Sequence, residues 1–243
     1  MLGFDIFVTL MSVIAAGDII SYIEMCQQEG VSLQRGMNFR LKGSTSVILM
    51  SLRRGAPYED RIEDNGRTLI YEGHDTPRVK GGPDPKRVDQ PMYSRPGQLT
   101  QNGLFFEAAT RSARGEGPPE MVKVYEKIRN GVWAFDGMFE LRDAWQQTGD
   151  KRSVFKFKLV LLEEASVVET APEPDLPHNR LIPTSVKLEV WKRDKGKCVL
   201  CGSRENLHFD HIIPFSQGGS SLLAKNIQLL CAKHNLQKHD KIL

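Results

Sequence analysis

A segment fastened at both ends by soft metal ligands has few ways to fold, and residues 198–238 are such a segment. Cys198 and Cys201 form a C-x-x-C knuckle, and Cys231 with His234 forms a C-x-x-H knuckle near the far end. That spacing suits four tetrahedral zinc ligands. So short a stretch buries too little apolar surface to hold itself. Structural zinc contributes on the order of 10–16 kcal/mol in small peptides, enough to fix it. Between the knuckles lies a second constellation. Asp210-His211 sits among Leu207, Phe209, Ile212 and Ile213, an alternation that predicts a strand turning at Pro214. Asn226 opens the apolar run of residues 227–230, and Asn235 follows the last zinc ligand on an expected helix. A carboxylate, an imidazole and two amides are hard or proton-transferring groups that a thiolate-bound zinc does not need. They suit a hydrated divalent cation acting on phosphate.

This stretch resembles the HNH endonuclease family, whose pattern runs C-x-x-C, D-H-I-x-P, G-G, N-x-x-x-L-C, then C-H-x-x-K. Two positions depart from it: His234 stands for the fourth cysteine and Asn235 for the last histidine. Imidazole ligates zinc as thiolate does, and an amide oxygen can ligate magnesium, so the chain is similar to an H-N-N variant. The resemblance implies His211 as general base, Asp210 and Asn235 as ligands of a catalytic Mg²⁺ or Mn²⁺, and Asn226 as the residue pinning the loop that orients His211. It leaves Lys225 and Lys238 for phosphate contact. His208 reads as an exposed strand residue, and His74, His178 and His239 as surface residues.

Charge divides along the chain. From Lys187 to the end there are ten Lys/Arg against five Asp/Glu, and before it 23 against 25. A basic tail suits phosphate contact, because each neutralised phosphate releases counterions. Three of the four cysteines lie in the knuckles, which excludes a disulfide framework and favours zinc in a reducing cytoplasm. The apolar run of residues 7–16 has no basic residue before Arg35 and is flanked by Asp5 and Asp18, so neither a secretory signal nor a membrane span is expected.

Upstream, Ile19, Ile20, Ile23, Met25 and Cys26 fit the buried face of a helix ending at Gly30. SVILMSL, RTLIYEG and SVFKFKLVLLEE read as strands, residues 74–98 as a long surface loop, and residues 104–114 as a short helix. The segment GAPYEDRIEDNGRTLIYEG, then Asp89-Gln90, LTQN at 99–102, and Phe135-Asp136-Gly137 followed by Trp145 resemble the SRA (SET- and RING-associated) domain over roughly residues 45 to 165. That family is a PUA-like curved β-barrel that flips a cytosine from duplex DNA and holds it between aromatic rings. Unstacking costs a few kcal/mol, which aromatic faces offset at about 1–3 kcal/mol per stacked base. A carboxylate accepting from the amino group separates cytosine from thymine. Tyr58 and Tyr71 match the family's stacking tyrosines, Asp60 is the candidate acceptor, and Glu72 replaces a threonine on the pocket wall. Arg61 stands where better-known members carry their acid, so the preferred C5 substituent stays open.

The expected class is α+β: an SRA-like domain over residues 1–170, a Pro-rich linker over 171–186, and a zinc-stabilised ββα-metal HNH domain over 187–243. The expected activity is restriction of duplex DNA bearing modified cytosine, by a homodimer, since one HNH centre nicks one strand. Two other readings stay open: a non-cleaving reader of modified DNA, and a nuclease directed to RNA by a PUA-like barrel.

Overall fold

The computed structural model describes residues 14–43, 45–162, 181–214 and 217–238. Residues 7–13 of the apolar run, residues 171–180 of the expected linker, His178 and His239 lie outside them.

Strand β1 (Ile19–Ser21) leads into helix α1 (Tyr22–Glu29). Ser21 and Glu24 form a reciprocal capping box there, and Gly30, at φ 65°, closes the helix in the left-handed region. The expected helix therefore begins three residues late. Ile19 and Ile20 are strand residues whose β-branched side chains suit a sheet, and Ile23 is 68% exposed. Then follow β2 (Met37–Asn38), β3 (Ser46–Met50), β4 (Arg61–Glu63) and β5 (Thr68–Glu72). The long loop carries a small hairpin, β6 (Tyr93–Arg95) and β7 (Gln98–Leu99). Thr100 then caps α2 (Gln101–Ala113) by accepting from the Gly103 N–H. Three long strands complete the sheet: β8 (Glu120–Arg129), β9 (Val132–Thr148) and β10 (Ser153–Leu161).

The strand order is β2-β3-β8-β9-β10-β5-β4, with β1 paired to β9 off that path. Among the described residues only the β3–β8 pair runs parallel. One core lies between this sheet and α2, around Phe105, Phe139, Phe155 and Phe157, and a second lies under α1, around Met25, Tyr125 and Phe135. Asp136 occupies a β-bulge: Phe135 faces Tyr125 and Gly137 faces Val124, leaving Asp136 as the extra residue. Gly137 takes a φ of 111°, which a side chain would resist.

The C-terminal unit consists of α3 (Thr184–Arg193), β11 (Leu207–His211), β12 (Ile227–Cys231) and α4 (Ala232–Lys238). Its hairpin pairs antiparallel with His211 opposite Ile227 and Asp210 opposite Gln228. This unit is not held at a distance. A third core joins Ile128 and Ala134 of the sheet to Ile182, Val186, Val190, Leu207, Phe209 and Leu229. The described end of the expected linker is thus packed structure: Leu181 and Ile182 are buried, and α3 begins before residue 187. The α+β expectation holds: β1–β5 and β8–β10 make one eight-stranded sheet whose end strands β2 and β4 do not pair among the described residues, and β6–β7 and β11–β12 are separate two-stranded sheets.

Candidate nuclease centre and base-reading cluster

The two knuckles converge. The Sγ atoms of Cys198, Cys201 and Cys231 and one ring nitrogen of His234 all lie within 4.8 Å of one another. The Sγ atoms of Cys201 and Cys231 are 3.8 Å apart, and His234 Nδ1 lies 3.4 Å from Cys198 Sγ and 3.3 Å from Cys231 Sγ. Tetrahedral zinc with the usual bond lengths separates sulfur from sulfur by about 3.8 Å and sulfur from nitrogen by about 3.6 Å, so the set fits that ion. The first knuckle turns because Gly202, at φ 76°, lets its N–H reach the Cys198 carbonyl at 2.8 Å. Burial opposes ionisation of Cys198, yet hydrogen bonds from the Cys231, Cys201 and Leu200 backbone and from His234 bring its thiol down to about 6. Zinc binds the thiolate form.

On the hairpin beside this cluster, Asn226 is a clamp. Its Oδ1 accepts from the Ile213 N–H at 2.9 Å, its Nδ2 donates to the carbonyls of Ile213 and Ser220 at 3.2 Å each, and its own carbonyl accepts from Ile212 at 2.7 Å. The loop passes so close that a Cβ on Gly219 would fall 1.8 Å from the Ile213 carbonyl oxygen. Only glycine fits there. The chain leaving His211 is thereby fixed, and the ring itself is held by Ser221, whose buried Oγ lies 2.7 Å from Nε2. Nothing in the sequence marks out Ser221, one of several serines in a Gly-Ser run.

Asp210 takes a hydrogen bond from Gln228 Nε2 at 3.0 Å and an ion pair from Lys238 at 3.2 Å. Lys238 also donates to the His211 carbonyl at 2.6 Å, and its side chain is 1% exposed. This corrects the expectation of a phosphate contact at Lys238: its ammonium is spent inside the unit, bracing Asp210-His211 against α4. Lys225 is exposed. Asn235 is half-buried on α4, one turn before Lys238, on the side of the helix that residues three apart share. His208 is not an exposed strand residue either, since its Nδ1 sits 2.5 Å from Asp18 Oδ1 and its ring is largely covered.

The second cluster forms where β5 runs into the long loop. Asp60 Oδ1 accepts from the Glu72 N–H at 3.0 Å and Oδ2 from Ser51 at 3.5 Å. Burial nonetheless pushes its carboxyl up to about 6. Glu72 is locked by Arg152 at 3.1 Å and by Lys156 at 2.8 Å, both nearly or wholly buried. Tyr71 departs from the expected geometry. Its ring is 1% exposed within the main core, and what reaches the cluster is its hydroxyl, 3.1 Å from His74 Nε2. The ring facing Tyr58 is that of His74, with centroids 5.4 Å apart and planes 16° from parallel. His74 is therefore no surface residue. Asn102 holds its backbone at both N–H and carbonyl, and burial lowers its imidazole to about 4, so it is neutral near pH 7. The backbone of Gly36 abuts it, since a Cβ there would lie 2.8 Å from both His74 Nε2 and the Tyr71 hydroxyl. Lys86 covers Tyr58 from 4.2 Å and pairs with Asp75 at 2.8 Å. The short motifs read along the chain stitch this region together. Gln90 bonds Gly73 and Phe155, and Asp89 takes the Ser153 N–H.

Residues 198–241 match the family model described as HNH endonuclease, and the C-terminal unit is an HNH endonuclease domain. Over 247 aligned residues the chain is 24% identical to SUVH2 of Arabidopsis thaliana, a histone-lysine N-methyltransferase family member. That alignment takes in 90% of this chain but 36% of the relative, so the chain spans about a third of that protein's length. The SRA domain of SUVH5, solved with fully methylated CG DNA, is similar at 23% identity and a TM-score of 0.44, over 63% of this chain and 93% of that one. The DNA modification-dependent restriction endonuclease AspBHI is similar at 16% identity and a TM-score of 0.45, over 65% of this chain and 80% of its own. Among the described residues no helix is long and apolar enough to cross a membrane.

Proposed function

We propose that this chain is a DNA endonuclease that cuts where its sheet has captured a modified cytosine, 5-methyl or 5-hydroxymethyl, flipped out of a duplex. The observation that carries this reading is that an HNH centre shares a hydrophobic core with a sheet whose β5 end gathers paired rings, Tyr58 and His74, and a carboxylate, Asp60. Aromatic faces offset the cost of unstacking, and a carboxylate reads the cytosine amino group. Tyr71 and Glu72 support this pocket, one through its hydroxyl and the other by giving Asp60 a fixed backbone N–H.

At the nuclease centre, His211 takes the proton from the water that attacks phosphorus. Ser221 keeps the imidazole aimed, Asn226 holds the loop that follows it, and Lys238 ties the His211 carbonyl to α4. Asp210 and Asn235 offer hard oxygen donors suited to Mg²⁺ or Mn²⁺, which when bound supplies Lewis-acid stabilisation of charge at the phosphate. One such centre nicks one strand, so double-strand cutting requires two copies or two visits, and a homodimer is the expected form.

The deciding experiment digests otherwise identical duplexes carrying C, 5-methylcytosine or 5-hydroxymethylcytosine, with EDTA and Mg²⁺ arms, and maps the ends. Metal-dependent cutting confined to a modified duplex is the expected result. Binding without cutting in any metal would leave a reader only, and cutting indifferent to modification would remove the base-reading role.

Acidity gives a second check. A carboxyl titrating at about 6 is an acceptor above that pH and progressively a donor below it. Affinity for the modified duplex, followed by fluorescence anisotropy, is therefore expected to be level above pH 7. It should then fall by up to about tenfold for each unit below the Asp60 pKa, as the protonated form is the weaker acceptor and turns a donor toward the amino group. In Asp60→Asn the affinity is already low and that dependence is flat; an unchanged pH profile in this variant removes Asp60 from the pocket.

A further inference from the structure

Where the HNH unit meets the sheet, a lysine is plugged into it. Lys187, in the first turns of α3, is 2% exposed. Its Nζ lies 2.7 Å from Glu126 Oε2 on β8 and 2.5 Å from Asp136 Oδ1 on β9, and both carboxylates are 1% exposed. The bulge in β9 makes Asp136 the unpaired residue of its strand pair, and a bulge re-aims a side chain. The remaining oxygens, Glu126 Oε1 and Asp136 Oδ2, are buried without a hydrogen-bond partner among the described residues.

Stability alone does not account for this triad. Taking one ammonium and two carboxylates out of water is costly, and well-packed apolar residues of the same volume would serve cohesion at least as well. Around the triad that apolar contact already exists: Ile128 and Ala134 pack with Val186 and Val190. Such contact is non-directional, so by itself it would let α3 slide across the sheet. A buried lysine that finds its carboxylates at one place does not slide. A second tie acts in the same sense. β1 pairs with β9, Ile19 opposite Ala134, while Gly17 accepts from the Phe209 N–H at 3.1 Å and Asp18 holds His208. The strand bearing His211 is thus suspended from the same β9 segment that carries Asp136.

We propose that Lys187 is a positioning residue: seated between Glu126 and Asp136, it sets the register between the base-reading sheet and the nuclease centre, and so the distance from modified base to cut. This rests on the proposed function for the meaning of that distance, though not for the register itself. Burial, then repulsion from Glu126, pushes the Asp136 carboxyl up to about 7 against the pull of Lys187, while against the cost of its own burial the Lys187 ammonium is held charged by Asp136 and Glu126.

The test uses the whole chain with one 5-methylcytosine in a long duplex, and compares wild type, K187R, K187M and the neutral triple variant E126Q/D136N/K187M. K187M alone strands two buried carboxylates and can fail to fold, whereas the triple variant removes every charge together. Expected for wild type and K187R is one dominant cut position per strand. Expected for the triple variant is cutting spread over several nucleotides, with the dominant product below half, while the thermal midpoint stays within a few degrees and modified-duplex affinity within twofold. A triple variant that cuts at the wild-type position overturns the proposal.

A second readout is independent of cutting: energy transfer between dyes at the exposed positions Tyr93 and Leu236, attached through unnatural amino acids. A narrow distance distribution in wild type that broadens in the triple variant supports the register role even if no modified duplex is cut, the result that sinks the proposed function alone. Equal distributions in the two proteins overturn the register role.

Discussion

Stripping zinc from this protein is expected to abolish cutting, and added Mg²⁺ is not expected to bring it back. The four ligand atoms lie within 4.8 Å of one another. Without an ion, up to three thiolates and an imidazole are left facing each other beside a hairpin whose own buried apolar residues are Leu207, Phe209, Ile227, Leu229 and Leu230. The ion's contribution, on the order of 10–16 kcal/mol in zinc-binding peptides, is as large as the whole stability of a typical domain, about 5–15 kcal/mol. Cys198→Ser or a tight chelator should therefore unfold the hairpin and α4, and with them the geometry of Asp210 and His211. Because Phe209 and Val190 share a core with Ile128 and Ala134, the sheet should also lose several degrees of thermal midpoint. Metal analysis is expected to return one zinc per chain. Activity should recover only when zinc is restored before the divalent cation. Recovery with Mg²⁺ alone would show that the hairpin stands without its clamp.

The zinc ligands were legible in the sequence because their chemistry is local: each knuckle is a pair three residues apart, and few other uses put soft ligands at that spacing. Strand β11 was legible for the same reason, through the alternation of Leu207 and Phe209. What escaped were residues whose partners are remote. Lys187 looks like any polar residue of an amphipathic helix, yet its partners lie 61 and 51 positions away. His74 has no pattern around it, and only the folding of Tyr58 and Asn102 onto it brings it into the cluster at the end of β5. Tyr71 reads as a stacking ring yet lies in the core, because a tyrosine in an apolar strand serves a stack or a core equally well, and alternation does not say which. The segment holding Ile19 and Ile20 fits helical spacing, but the Ser21–Glu24 capping box starts the helix after them. The Pro-rich composition near residue 180 pointed to a spacer, whereas Leu181, Ile182 and Val186 are buried. Linker composition carries no information about the surface that awaits its end.

His211→Ala is expected to lower the rate of strand nicking by about a thousandfold, within the 10²–10⁴ range for loss of a positioned general base, and to leave affinity for the modified duplex unchanged. The separation follows from the architecture: the imidazole belongs to the hairpin, bonded to Ser221, whereas the rings and carboxylate of the reading cluster lie on the sheet around β5. The fold should survive the change. The substitution removes the partner of one buried hydroxyl at Ser221, at a cost of about 1–3 kcal/mol, and leaves the zinc ligands and the Asn226 clamp in place. Ser221→Ala offers the graded comparison. It keeps the base but removes one of the ring's anchors, so nicking should fall by a smaller factor, about tenfold, below the 10²–10⁴ range for loss of the base itself, and Ser221→Thr, which retains a hydroxyl, should recover part of it. Single-turnover nicking of a modified duplex, with zinc content and melting measured on the same preparations, checks the series. Full nicking by His211→Ala would move the proton transfer to another group. A Ser221→Ala protein as inactive as His211→Ala but with its zinc intact would make the hydroxyl part of the chemistry, no longer only its support.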